Sequence, residues 1–201
     1  MSDDDLFAIV HRQRACRAFS DRLVDDADLA RILDAATFAP SAENRQPWEF
    51  VVVRDDGVRA AIQQLTVRAW DGGGRAFAAK RLEPALLAEV DASMTEGRVH
   101  EAPVLVVVAA DTERCLPATI ASSIYPATQN LLLAATALGL ASAFTTITTV
   151  FADELRALVG LPDHVLPQVV VPLGYPAKPL GPPRREPFAE HTHRDRYGSP
   201  W

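Results

Sequence analysis

Arg14 and Arg17 stand three residues apart just after an N-terminal helical pattern, and both carry a planar, permanently charged fork that binds phosphate oxygens two at a time. Further on, Phe38-Ala-Pro-Ser-Ala-Glu-Asn-Arg-Gln-Pro-Trp48 runs directly into the apolar segment Phe50 to Val53. Pro40 and Pro47 stiffen that stretch, Ser41 and Asn44 can bond backbone or ligand, and Gln46 adds a second amide with donors and acceptors. A loop of this kind can read the polar edge of a flat heterocycle. The same residue types also close structural turns, and paired arginines also end solvated helices, so the local chemistry leaves both readings open.

Other chemistries find less support. Gly72-Gly73-Gly74 does not satisfy Gly-x-Gly-x-x-Gly and follows no predicted strand, and no Walker-type loop is present, so a bound phosphate has to be held by side chains. His191 and His193 lie two apart in the C-terminal stretch, but no further ligand pair with recognised spacing accompanies them, and no metal is expected. Cys16 and Cys115 are the only cysteines and form no Cys-x-x-Cys pair; neither a disulfide framework nor a zinc site follows. Cys16 between two arginines reads as a small filler residue.

The elements that must position these groups fit one domain over residues 1–201, with 176–201 as a proline-rich, polar C-terminal extension. Helical spacing is read over Asp3 to Arg12, over a segment capped by Asp25 or Asp26 and carrying Leu29, Ile32, Leu33 and Ala36, over Asp55 to Val67, and over Glu83 to Glu96 with Pro84 near its first position. Trp70 to Gly74 reads as a break with a flexible turn. Glu49–Val53, Val104–Ala109, Ala141–Thr146 and Val165–Leu173 read as strands, the second apolar enough to be covered on both faces. Asp153 to Val159 is a short helix. The result is an α+β fold with a mixed central sheet surrounded by helices.

From Cys115 to Ala152 there is no charged residue. Pro126, Gln129, Asn130 and two serines argue against a membrane span, so a helix from about Ala118 to Leu138, ended by Gly139, is expected in the core and against a partner subunit. With 20 basic and 26 acidic residues the net charge is −6, which disfavours nucleic acid or an anionic membrane as partner and favours a small molecule. The acidic start Met1-Ser2-Asp3-Asp4-Asp5 has neither the basic region nor the apolar stretch of a secretory signal, and a cytoplasmic location is expected.

Together the Arg-rich segment Gln13 to Asp21, the Ala39-Pro-Ser-x-x-Asn-x-Gln-Pro-Trp48 loop, Gln129 to Ala135 with Leu138-Gly139-Leu140, Leu173-Gly174-Tyr175-Pro176 and Arg185-Glu186-Pro187 resemble, in order, the FMN-dependent nitroreductase family. Residues 66 to 100 carry no matching motif. The resemblance implies one FMN, with Arg14, Ala15 and Arg17 along its phosphate and ribityl chain, Arg185 closing on the phosphate beside the adjacent Arg184, and Ser41, Asn44 and Gln46 near the isoalloxazine. The family often has serine where this chain has Ala15, which removes one hydroxyl contact. Thr145 and Thr146 resemble the iodotyrosine deiodinase branch, where a threonine hydroxyl faces flavin N5, and Thr146 is the residue expected there.

The family further implies ping-pong oxidoreductase chemistry, in which NADH or NADPH serves as co-substrate and nitroaromatics or quinones as acceptors, in a homodimer with the flavin at the interface. No dedicated catalytic acid or base is required, because the cofactor carries the electrons. Reductive dehalogenation, oxidative flavin fragmentation and non-catalytic sequestering or sensing of FMN are the alternatives. The acceptor and the preferred nicotinamide are not written in these motifs.

Overall fold

Val104 to Ala110 is an unbroken apolar run whose first five residues, Val104 to Val108, are all branched, and it forms an inner strand of the sheet, paired on both edges. In the computed structural model, which describes residues 3–201, four strands are ordered β1-β2-β4-β3: β1 (Trp48–Val53), β2 (Val104–Asp111), β3 (Ala141–Ser142) and β4 (Val165–Gly174). Met1 and Ser2, part of the acidic start, lie outside the described residues. All three ladders are antiparallel. The mixed character expected of the sheet is confined to one parallel bridge, Ala15 to Ser142, at its edge.

Side chains alternate across β2 and separate the core into two parts. Val104, Val106 and Val108 pack with Val169, Val171 and Leu173 of β4 against α2 (Asp26–Thr37) and α7 (Ile120–Ala137). Leu105 and Val107 face the other side, with Ile62 and Leu65 of α3 (Asp56–Ala69) and Leu155 of α8 (Ala152–Leu158). Each such fully buried side chain contributes about 1.5–3 kcal/mol relative to an exposed one. A charged residue at Val107, which is wholly buried, would break the strand that carries both halves.

Helix ends follow local chemistry. The Asp55 carboxylate accepts the Val58 N–H at 2.9 Å and caps α3. Asp25 occupies the corresponding position of α2, although its side chain makes no capping bond. Gly139, at φ 78°, ends α7: its N–H reaches Thr136 O at 3.1 Å while the Leu140 N–H reaches Ala135 O at 2.9 Å, the paired bonds of a Schellman motif.

Two expectations need correction. Trp70–Gly74 is not a break but a wide helical turn kinked at Gly73, because Trp70 is buried and continues α3 toward α4 (Arg75–Ala79). The strand expected over Ala141–Thr146 stops at Ser142, and only Thr145 returns to β4 through a bridge to Val170. Beyond α4, α5 (Pro84–Thr95) and α6 (Arg98–Glu101) complete the stretch that carried no motif. No described helix is long and apolar enough to cross a membrane.

Candidate functional site

The chain leaves α1 (Asp3–Arg12) and joins the sheet edge: the Cys16 N–H donates to Ser142 O at 2.8 Å, Ser20 N–H to Tyr175 O at 2.9 Å, and Ala177 N–H to Ala18 O at 3.0 Å. This clamp fixes Arg14, Ala15 and Arg17 along one wall of an open cleft of about 430 Å³. Arg184 and Arg185 come from the C-terminal stretch to the same cleft, and Leu86 of α5 with Gln129 and Leu132 of α7 completes the wall. The volume is within the range of small-molecule sites.

Charge in the cleft is one-sided. Arg17 Nη1 meets Glu89 Oε1 at 2.8 Å, Arg14 Nη1 donates to Gly181 O at 3.0 Å, and Arg185 Nη1 donates to Arg184 O at 2.7 Å. Among the described residues, Arg14, Arg184 and Arg185 have no carboxylate partner. Converging guanidiniums with unspent donors are suited to a phosphate dianion, which offers several acceptor oxygens. Cys16 lies beneath this wall, 2% exposed, donating to Ala18 O at 3.1 Å. Burial pushes its thiol above the ordinary value, against the pull of that bond and of Arg14 and Arg17, as a filler residue requires.

Ser41, Asn44 and Gln46 fold into a tight loop elsewhere. The Gln46 N–H donates to Ser41 Oγ at 3.0 Å, and Gln46 Nε2 reaches Asn44 Oδ1 at 3.3 Å. Glu43, Asn44 and Gln46 all have positive φ, at 54°, 53° and 49°, a conformation that costs non-glycine residues energy and persists only where surroundings enforce it. The Ala42 N–H fastens the loop to Ser123 Oγ of α7 at 3.3 Å. Gln129 and Leu132 lie six and nine residues further along that helix, roughly 9–14 Å at 1.5 Å per residue. Within one chain, therefore, the amide-bearing loop does not line the arginine cleft. Ala42, Glu43 and Arg45 instead border a separate hollow of about 300 Å³ beside Arg114 and Cys115.

Thr145 exchanges two backbone bonds with Val170, 3.1 and 2.9 Å, and lines a small pocket of about 80 Å³ that shares Ala15, Arg17 and Phe144 with the cleft. Thr146 is exposed at the end of that bridge, its carbonyl accepting the Thr149 N–H at 3.1 Å and the Thr149 hydroxyl at 2.7 Å.

Sequence reasoning missed Glu89, Leu86 and Phe144. No local pattern joins them to the arginines, because the contact of Arg17 with Glu89 spans 72 positions of chain. Asn130, beside Gln129, has a structural part instead: its Nδ2 donates to Ala35 O at 3.2 Å and ties α7 to α2.

A family model described as "Nitroreductase family" matches residues 10–175. The protein named "Putative NADH dehydrogenase/NAD(P)H nitroreductase" from Methanothermobacter thermautotrophicus is 30% identical, over 90% of this chain and 82% of that protein. A Thermus thermophilus protein named NADH dehydrogenase is 32% identical, over 88% of this chain and 89% of its own length. Among solved structures, oxidized iodotyrosine deiodinase bound to FMN and 3-iodo-L-tyrosine superposes with a TM-score of 0.75 at 26% identity, covering 96% of this chain and 99% of that one.

Proposed function

The chain belongs to the nitroreductase family of oxidoreductases, and from that premise we propose that it is an FMN-dependent reductase that passes electrons from NAD(P)H to nitroaromatic or quinone acceptors in ping-pong order. The observation that carries this reading is the cleft where Arg14, Arg17, Arg184 and Arg185 converge while only Arg17 has a carboxylate partner among the described residues. FMN, when bound, supplies the reversible two-electron chemistry.

The protein's part is to bind and orient. Arg14, Arg17 and Arg185, with Arg184 beside it, hold the phosphate. Ala15 lies along the ribityl chain, and because its methyl offers no donor the affinity rests on the arginines. Thr145 lines the small pocket at the inner end, and Thr146, exposed beside it, would offer the hydroxyl toward N5 that tunes how readily the ring accepts electrons.

The loop holding Ser41, Asn44 and Gln46 is too far along α7 to serve the cleft of its own chain, and this supports a homodimer. The outward face of α7 presents Ala121, Ser122, Tyr125 and Gln129 to solvent without a charge, a surface suited to a second copy. In that assembly the loop of one subunit would meet the isoalloxazine of an FMN whose phosphate the arginines of the other would hold. Neither cleft is complete alone.

Initial rates measured while NAD(P)H and a quinone are varied together test the reading. Parallel double-reciprocal lines, lost when FMN is removed and restored when it is returned, are expected; absence of FMN-dependent turnover with either nicotinamide and either acceptor class would refute it.

Reductive dehalogenation is the second reading, favoured by the threonine pair and by the similarity to the halotyrosine-bound deiodinase. Reoxidation of the reduced protein by 3-iodotyrosine under anaerobic conditions would establish it, and its absence dismisses it.

A further inference from the structure

Glu89 is the only acidic side chain in contact with an arginine of the cleft among the described residues; the lining itself carries none. Its position is not required to hold α5. Two residues on, Asp91 Oδ1 accepts Trp70 Nε1 at 2.7 Å and Arg75 Nε at 3.1 Å, and Gln63 Nε2 donates to Met94 O at 2.5 Å, so the helix is fastened to α3 and the turn beyond it without Glu89.

The two partners of this ion pair are unequal. The Arg17 side chain is 23% exposed and the Glu89 side chain 48%. An enclosed guanidinium loses most if left without an anion, whereas a half-exposed carboxylate can return to water at little cost. Arg17 therefore gains more from a neighbouring anion than Glu89 gains from Arg17.

Resting on the FMN reading above, we propose that Glu89 sets the affinity of the phosphate subsite as an internal competitor: it holds Arg17 in the empty protein, and the phosphate ester replaces it there. Binding then exchanges one anion for another on Arg17 and adds new charge only at Arg14, Arg184 and Arg185. Leaving Glu89 nearby as a hydrated carboxylate also keeps a repulsive charge beside the bound dianion.

The test is fluorescence titration of the apoprotein with FMN and with riboflavin, in the wild type, Glu89→Gln, Arg17→Ala and the double variant, at two salt concentrations. Glu89→Gln is expected to tighten FMN about three- to tenfold and to steepen its salt dependence while riboflavin binding is unchanged. In the Arg17→Ala background the gain is expected to vanish. FMN affinity unchanged or weakened in Glu89→Gln, or an equal change for riboflavin, overturns the proposal. If the wild type binds neither flavin, the FMN reading itself fails, which is a separate result from binding that ignores Glu89.

Discussion

The hydroxyls of Thr66 and Thr148, both wholly buried, lie 2.8 Å apart and tie α3 to the 3-10 turn Ile147–Phe151 that follows Thr145 and Thr146. Thr66 gives its one proton to Ile62 O at 3.0 Å, so Thr148 must be the donor between the two. Thr66→Val strands a buried donor and is expected to cost about 1–3 kcal/mol, while Thr66→Val/Thr148→Val removes both groups and costs less than the sum of the singles. Urea unfolding of the four proteins checks this; additive losses would contradict it.

Among the described residues Arg14 hydrogen-bonds the Gly181 carbonyl and has no carboxylate partner, so its charge is spare in the unliganded protein. Arg14→Ala is expected to weaken FMN about 10- to 100-fold by removing charge-assisted bonds to the phosphate. Riboflavin should bind nearly as before, and thermal stability should hardly change. Equal losses for the two flavins would move Arg14 away from the phosphate.

Much of this architecture was legible because burial writes itself into local pattern. The run Val104–Ala109 announces a central strand, and Gly139 announces a helix end that needs positive φ. Trp70–Gly74 misleads for the opposite reason: glycines normally punctuate, but here the buried indole of Trp70 and its bond to Asp91 carry the helix through. Glu89 leaves no local trace, since it meets Arg17 across 72 positions of chain. The order of motifs also cannot reveal that Ser41, Asn44 and Gln46 fold away from the arginines; that depends on where along α7 each group docks.

The clamp on α5 titrates. The Trp70 indole bond first, and then Arg75, hold the Asp91 carboxyl below its ordinary 3.8, against the opposing effect of partial burial. A folded value below the unfolded one gives stability that is full above pH 3.8 and lost as pH falls through the folded value. Asp91→Asn should therefore lower Tm by a constant amount at neutral pH, and the difference should shrink below pH 3.8. A difference that persisted or grew in acid would contradict the clamp.

Ala121 lies on the exposed, uncharged face of α7, in its first turn, where a carboxylate is compatible with the helix dipole. Ala121→Glu should leave helicity intact, yield a monomer by analytical ultracentrifugation and lose FMN with the dimer. A dimeric, FMN-replete variant would show that this face is not the interface.

Electron transfer from a nicotinamide to an acceptor, through a flavin held by these arginines, is open to direct observation. The most direct measurement is anaerobic titration of the FMN-loaded protein with NADPH and then NADH, followed in the visible flavin absorbance. Bleaching by at least one nicotinamide is expected, with full recovery of colour on adding a nitroaromatic or quinone. Flavin that stays bound and oxidised in the presence of both nicotinamides would contradict it.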